Sequence, residues 1–178
     1  MKVLPQLRHV GIYAEDIEAL REYYCGIFGL VVTDRGISPS VGQPIVFLSA
    51  DPEAHHQLVL IGGRQVESQP STINQLSFLV EDFAALRTIH ERLQAAPSAA
   101  AIRPVDHGNA WSLYTLDPEG NGIEVYVDTP WHVAQPHARP IDMTLPDAEI
   151  FEITRQAVLA DPTYAERADW SQALQKKM

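Results

Sequence analysis

Two stretches of the chain are close copies of each other: LRHVGIYAEDIEALR at residues 7–21 and INQLSFLVEDFAALR at residues 73–87. The second copy begins 66 residues after the first, at residue 73 against residue 7. The same offset carries the tripeptide DPE at residues 51–53 onto DPE at residues 117–119. A single offset that holds at both ends of a segment indicates an internal repeat.

Each copy opens with a strand that is followed by a helix. Apolar residues alternate with other residues over 7–14, which predicts a strand. A helix follows, with Asp16 as its N-cap and Gly29 at its end. The second copy has the same order, with a strand over 74–80 and a helix capped by Asp82. Three further strands are expected after each helix: near 31–35, 44–50 and 56–61 in the first copy, and near 101–105, 110–116 and 122–127 in the second.

Each copy is therefore a βαβββ module of about sixty residues, which is too small to bury its apolar faces alone. We expect an α+β fold in which two pseudo-symmetric modules, residues 5–65 and 72–130, form one curved mixed sheet, a half-barrel around a cavity. This paired domain spans residues 1–130. Residues 131–178 form a C-terminal extension with two helices, the first capped by Asp147 and running to about residue 160, the second running from Tyr164 toward Leu174.

Composition bounds the class of protein. The chain has 178 residues, of which 46% are hydrophobic, so it can bury a core. Its 13 Lys and Arg against 23 Asp and Glu give a net charge of −10, which speaks against binding to nucleic acid or to an anionic membrane. No apolar run reaches membrane-spanning length, and the first ten residues do not resemble a signal peptide. A single cysteine, Cys25, excludes an intramolecular disulfide. We expect a cytoplasmic protein.

The repeat brings polar residues of different strands together. Equivalent positions of two related modules meet near their pseudo-two-fold axis, and His9 and Gln75 are such equivalents. Glu124 is the polar residue among apolar neighbours on the last strand. His56 precedes Leu58, the offset partner of Glu124, by two residues and is expected to face the same side. Imidazole combined with carboxylate is a ligand set that suits Fe(II), Mn, Zn or Ni, so the sequence predicts a metal site.

The motifs HVGIYAED at residues 9–16, INQLSFLVED at 73–82 and HGNAWSLYTLDPEGNGIEVY at 107–126 resemble the vicinal oxygen chelate superfamily. That superfamily includes glyoxalases, fosfomycin-resistance transferases, bleomycin-binding proteins and type I extradiol dioxygenases. The resemblance covers roughly residues 5–130 and is strongest to single-domain extradiol dioxygenases. It implies ring cleavage of a catechol-like aromatic diol with Fe(II) and O₂, in a protein that forms a homodimer.

The resemblance also implies a ligand set for the metal. Extradiol dioxygenases hold iron with a His on the first strand, a His on the equivalent strand of the second module and a Glu on the final strand. Carried over, these residues are His9, Gln75 and Glu124. Gln75 departs from the family pattern, and His56 is the alternative third ligand.

Three further residues match catalytic positions of the same family. Tyr114 lies in the SLY that resembles the family's Ser-Phe-Tyr, whose Tyr orients and deprotonates the catechol. His107 resembles a His that hydrogen-bonds the ring hydroxylate. His56, or its neighbour His55, resembles the His that acts as acid and base.

Two other functions remain open. A glyoxalase-type lyase, isomerase or epimerase would use its metal to polarise an enediolate, with Glu124 moving a proton. That arrangement needs a carboxylate on the matching strand of the first module, where this chain has Leu58. A metal-free binding protein of the bleomycin-resistance type is the third possibility, although such proteins lose the His and Glu ligands and this chain has His9 and Glu124.

Overall fold

The computed structural model describes residues 6–65, 73–96 and 100–177, so the predicted module bounds at residues 5 and 72 fall outside the described residues. The chain clusters into two compact units. The first comprises Met1–Thr72 and Asp117–Gly120, and the second Ile73–Leu116 and Asn121–Met178. The C-terminal extension thus clusters with the second module.

The first unit contains a four-stranded sheet and one helix. The sheet has the strand order β1-β4-β3-β2, in which β1 is parallel to β4 and the other pairs are antiparallel. Its elements are β1 (Val10–Ala14), α1 (Ile17–Phe28), β2 (Val31–Ile37), β3 (Pro44–Ser49) and β4 (Leu58–Gly62).

The ends of α1 are set by the two residues that the sequence indicates. The Asp16 carboxylate accepts hydrogen bonds from the main-chain N–H groups of Glu18 and Ala19, which satisfies donors that the first turn leaves unpaired. Gly29 has φ 71°, a left-handed conformation, and its N–H donates to the Cys25 carbonyl. Both predicted caps are confirmed.

The second unit repeats this topology. Its sheet has the order β6-β7-β8-β5, with Arg139–Pro140 of the extension paired to the outer edge of β6, and β5 is parallel to β8 as β1 is to β4. Asp82 caps the helix by accepting from Ala85 N–H, as predicted. The repeated elements are β5 (Leu76–Leu79), α2 (Phe83–Ala95), β6 (Arg103–Asp106), β7 (Ala110–Leu116) and β8 (Gly122–Asp128).

The predicted α+β fold of two βαβββ modules is therefore confirmed. Among the described residues, the strands of the two modules lie in two separate sheets, whereas we expected one curved sheet. The repeated DPE turns have the same internal bonds: Glu53 N–H donates to Asp51 Oδ1 at 2.9 Å, and Glu119 N–H donates to Asp117 Oδ1 at 3.0 Å.

The strand register corrects one prediction. Gly11 pairs with Val59 in the first module, and Ser77, the offset equivalent of Gly11, pairs with Glu124 in the second. The structural equivalent of Glu124 is therefore Val59 and not Leu58. The offset fails here because Asp51 lies eight residues before Val59, while Asp117 lies seven residues before Glu124.

The position predicted for His56 is wrong for the same reason. His56 precedes β4 instead of lying on it. It is also three residues before Val59, so strand alternation does not put it on the face that corresponds to Glu124.

The extension adds short strands and two helices to the second unit. Asp147 is the first residue of its helix and does not cap it; the N-cap is Pro146, which makes no side-chain cap bond. The Asp147 carboxylate instead accepts from Arg87 Nε on α2. No helix in the described part of the chain is long and apolar enough to cross a membrane. The elements are β9 (Trp131–His132), β10 (Arg139–Pro140), α3 (Asp147–Leu159), β11 (Ala165–Glu166) and α4 (Arg167–Gln175).

Candidate active site

A row of four polar side chains crosses the sheet of the second unit. Arg103 on β6 pairs with Tyr114 on β7, Tyr114 pairs with Glu124 on β8, and Glu124 pairs with Ser77 on β5. In-register neighbours share a face, so these side chains lie on the same side of the sheet. The opposite face of β8 is formed by the buried residues at 123, 125 and 127.

Four neutral donors surround the Glu124 carboxylate. Its Oε1 accepts from Tyr114 Oη at 2.6 Å and from Ser112 Oγ at 2.9 Å. Its Oε2 accepts from Ser77 Oγ at 2.6 Å and from Gln75 Nε2 at 2.7 Å. Both oxygens of this half-buried carboxylate thus have two partners each.

These hydrogen bonds keep Glu124 ionised. Partial burial works to raise the pKa of Glu124, but hydrogen bonds from Ser77, Tyr114 and Ser112 outweigh it, and the net effect is a lowered pKa. Among the described residues, no Lys, Arg or His forms an ion pair with Glu124. The carboxylate therefore carries a negative charge that neutral donors solvate but do not compensate.

Tyr114 connects this carboxylate to His107. The Tyr114 hydroxyl lies 2.6 Å from Glu124 Oε1 and 2.9 Å from His107 Nε2. Burial, followed by the hydrogen bond and charge of Glu124, raises the pKa of Tyr114 to about 12. Tyr114 is thus a neutral phenol at pH 7. It can relay a proton, but it is not deprotonated at rest and so does not begin the reaction as a base.

The other nitrogen of His107 is held by the main chain. His107 Nδ1 lies 2.6 Å from the His137 carbonyl oxygen, and since a carbonyl can only accept, Nδ1 carries the hydrogen. A neutral ring then has a lone pair on Nε2, so the single hydrogen of the Tyr114 hydroxyl is donated either to this nitrogen or to Glu124 Oε1, and not to both at once. His107, Tyr114, Glu124 and Gln135 line one open cavity of about 280 Å³.

The remaining predicted residues form a cluster in the first unit. The His9 and His56 rings lie 4.3 Å apart between centroids, and Phe47 lies 5.1 Å from His56. His55 Nδ1 lies 2.9 Å from His56 Nδ1, so one of these nitrogens donates to the other. Burial, followed by the charges of His9 and His55, lowers the pKa of His56, which favours its neutral form.

The predicted residues are therefore found in two groups. His9 and His56 are neighbours in the first unit, while Gln75, His107, Tyr114 and Glu124 are linked in the second. Within residues 6–65, 73–96 and 100–177, no group of three or more His, Cys, Asp or Glu side chains is arranged to hold a metal ion.

Sequence reasoning missed three residues of the second group. Ser77 lies two residues after Gln75, and Ser112 lies two residues before Tyr114, so strand alternation could have identified both. Gln135 lies in the extension, beyond the repeat, where no periodic signal marks it.

The comparisons with known proteins agree with this fold. A model of the Glyoxalase/Bleomycin resistance protein/Dioxygenase superfamily matches residues 6–125. Biphenyl-2,3-diol 1,2-dioxygenases 2 and 3 of Rhodococcus globerulus are 27% and 31% identical to this chain, over 131 and 133 residues. Each alignment covers 72% of this chain, and they cover 65% and 66% of the relatives' own lengths, which is just under two thirds.

A solved structure extends the comparison to the fold. The fosfomycin resistance protein FosX from Listeria monocytogenes, in complex with Mn(II) and a sulfate ion, has a TM-score of 0.55 and 16% identity. The superposition covers 71% of this chain and 95% of that chain. Proteins with this fold thus include one that binds a divalent metal.

Proposed function

The chain belongs to the Glyoxalase/Bleomycin resistance protein/Dioxygenase superfamily, and from that premise we propose that it is a metal-dependent extradiol dioxygenase. Its substrates in this proposal are a catechol-like aromatic diol and O₂, and its metal is Fe(II). Support comes from the named relatives, which are diol dioxygenases, and from the geometry around Glu124.

One observation carries the proposal: a charged carboxylate, a phenol and an imidazole are joined in a line that opens on a cavity. Glu124, Tyr114 and His107 are linked by contacts of 2.6 and 2.9 Å. A metal-dependent reaction of a diol needs an anionic ligand and a route for the hydroxyl protons, and this line supplies both.

The donor chemistry fits a divalent metal. Glu124 offers an anionic oxygen whose charge no cation of the described residues compensates, and Gln75 brings an amide next to it. In the proposal His9, Gln75 and Glu124 hold the metal. Gln75 donates from Nε2 to Glu124, and its amide oxygen, the other polar atom of the same planar group, is the atom that would hold a metal. Bound Fe(II) supplies a Lewis acid that lowers the pKa of the diol and a centre that reacts with O₂.

In the proposal, residues of the second unit transfer the first hydroxyl proton of the diol. The Tyr114 hydroxyl turns its single hydrogen from Glu124 Oε1 to His107 Nε2, which lies 2.9 Å from Oη, passes it to that nitrogen and accepts a proton from the diol. His107 Nδ1–H continues to donate to the His137 carbonyl oxygen, which keeps Nε2 available for this step. The guanidinium of Arg103 lies 4.7 Å from the centre of the Tyr114 ring, where its charge favours a transient phenolate.

His56 serves as the second acid and base. Its lowered pKa leaves it neutral at pH 7, able to accept a proton. The hydrogen bond with His55 ties the Nδ1 atoms of the two rings together and leaves Nε2 of His56 for the reaction. In the proposal it takes the second hydroxyl proton of the diol and returns it during ring opening.

The experiment is anaerobic loading of the full chain with Fe(II), then addition of biphenyl-2,3-diol or catechol with oxygen. We expect a yellow ring-fission product and uptake of one O₂ for each diol consumed. Glu124→Gln is the variant that removes the anionic ligand while keeping the side-chain shape, and it should abolish the uptake. No oxygen uptake across a broad panel of diols, with Fe(II) demonstrably bound, would contradict the proposal.

A further inference from the structure

A segment of the C-terminal extension is bonded to the loop that carries His107. Gln135 Nε2 donates to the main-chain oxygen of His107 at 2.8 Å and lies 3.3 Å from Asn109 Oδ1. Gln135 Oε1 accepts from the main-chain N–H of His137 at 3.0 Å. Gln135 Nε2 also donates to the main-chain oxygen of Val133 at 3.4 Å, so the nitrogen bonds to the loop and to its own segment, and the oxygen bonds to its own segment.

The packing between loop and segment is close. Gly108 has φ +74°, and a Cβ placed on it would lie 2.5 Å from Val133 Cγ2, so only glycine allows this approach. Val133 is fully buried. Residues 133–137 are therefore seated against the loop at 107–109, outside the part of the chain that the superfamily model matches.

The consequence falls on the His107 ring. Its Nδ1 is 2.6 Å from the carbonyl oxygen of His137, two residues after Gln135. A neutral imidazole has two tautomers, and the partner of one nitrogen decides which of them is populated. The carbonyl selects the tautomer with hydrogen on Nδ1, and this leaves Nε2 as an acceptor for the hydrogen of the Tyr114 hydroxyl, which Glu124 Oε1 also accepts.

We propose that Gln135 is a positioning residue: it holds the His137 carbonyl against His107 and so fixes the imidazole tautomer that the site requires. The extension is then a working part of the active site. The effect of Gln135 on the His107 tautomer does not depend on the reaction. Its effect on catalysis rests on the proposed function.

The test compares Gln135→Met with Gln156→Met in the full chain. Gln135 is exposed, and methionine keeps the length of its side chain while removing both bonding groups. Gln156 is the matched control, because it is exposed on α3 and, among the described residues, its side-chain amide bonds only to Glu152 of the same helix, at 3.2 Å. The primary measurement is ¹⁵N NMR of histidine rings, with the His107 signals assigned by a His107→Gln variant.

We expect a single His107 tautomer with hydrogen on Nδ1 in the wild type and in Gln156→Met, and a mixture of both tautomers in Gln135→Met. Diol cleavage by Gln135→Met should lose about three- to tenfold in kcat, with KM within about twofold, because one hydrogen-bonded bridge is lost and the cavity is kept. An unchanged tautomer in Gln135→Met would overturn the inference and leave the proposed function standing. A shifted tautomer in a chain that cleaves no diol would support the positioning role and refute the proposed function instead.

Discussion

The role assigned to Tyr114 can be separated from its contribution to the charge of Glu124. Two hydroxyl groups donate to the same oxygen, Oε1 of Glu124: Tyr114 Oη at 2.6 Å and Ser112 Oγ at 2.9 Å. Of these two hydroxyl groups, only that of Tyr114 also lies within hydrogen-bond distance of His107 Nε2, at 2.9 Å. Each of the variants Tyr114→Phe and Ser112→Ala therefore removes one donor to Oε1. Tyr114→Phe also removes the contact with the His107 imidazole, and Ser112→Ala does not.

The expected magnitudes differ for stability and for rate. A hydrogen bond to a charged group contributes about 1.5–3 kcal/mol, and since Glu124 is only half-buried we expect about 1.5 kcal/mol for either variant. A positioned acid or base contributes about 10²–10⁴-fold to the rate. Tyr114→Phe should therefore lower kcat by about 10²-fold or more, and Ser112→Ala by less than about tenfold.

The assay is stopped-flow absorbance of the ring-fission product after anaerobic Fe(II) loading, with urea unfolding of the same samples. Metal content is measured for each variant, so that a loss of Fe(II) is not mistaken for a loss of proton transfer. Equal losses of kcat in the two variants at equal metal content would refute the relay through Tyr114, because the two would then act only through Glu124.

Three other outcomes follow from the structure. Gln75→His should tighten Fe(II) binding by about tenfold in a chelator competition, because imidazole is the better ligand, and an unchanged affinity would remove residue 75 from the ligand set. Tyr24→Phe removes the buried hydrogen bond to Asp117 at 2.9 Å and should lower the free energy of unfolding by about 2 kcal/mol in urea, whereas Tyr13→Phe, at an exposed ring, should not. Burial, followed by the charge of Arg87, lowers the pKa of His90, so folding disfavours its protonation. Stability should therefore fall as the pH drops through the ordinary value of 6.5, and urea titrations between about pH 7.5 and pH 5.5 should show a smaller fall in His90→Gln.

The elements that the sequence predicted well are those fixed by local chemistry. The carboxylate of Asp16 and the left-handed Gly29 define a helix without reference to the rest of the fold. Strand β7 (Ala110–Leu116) also matches its predicted bounds, and β8 (Gly122–Asp128) begins as predicted, with a buried residue at every second position. The offset of 66 residues then predicted that the second copy has the same order of strands and helix as the first.

The errors arose where a distant contact decides the outcome. Asp147 has the residue type of an N-cap, but Arg87 on another helix takes its carboxylate, so a tertiary ion pair replaces the local bond. The face of His56 was inferred from a constant offset, and a connection that is one residue shorter in the second module changes the register. Gln135 donates to the main-chain oxygen of His107, 28 residues earlier in the chain, and no sequence period marks such a contact.

That change of register bears on which reaction the site can perform. The glyoxalase-type alternative needs a carboxylate in the first module at the position that corresponds to Glu124. By strand pairing this position is Val59, which is only 6% exposed and apolar. Its neighbour on the paired strand is Gly11, where the second module has Ser77 as a donor to Glu124. The first module thus has neither the carboxylate nor the hydroxyl that would solvate it. Since a buried carboxylate needs such donors, a substitution at residue 59 alone would not create the missing ligand. Of the two equivalent positions, only residue 124 supplies an anionic oxygen donor. The dioxygenase proposal uses one carboxylate, Glu124, together with the imidazole of His9 and the amide of Gln75.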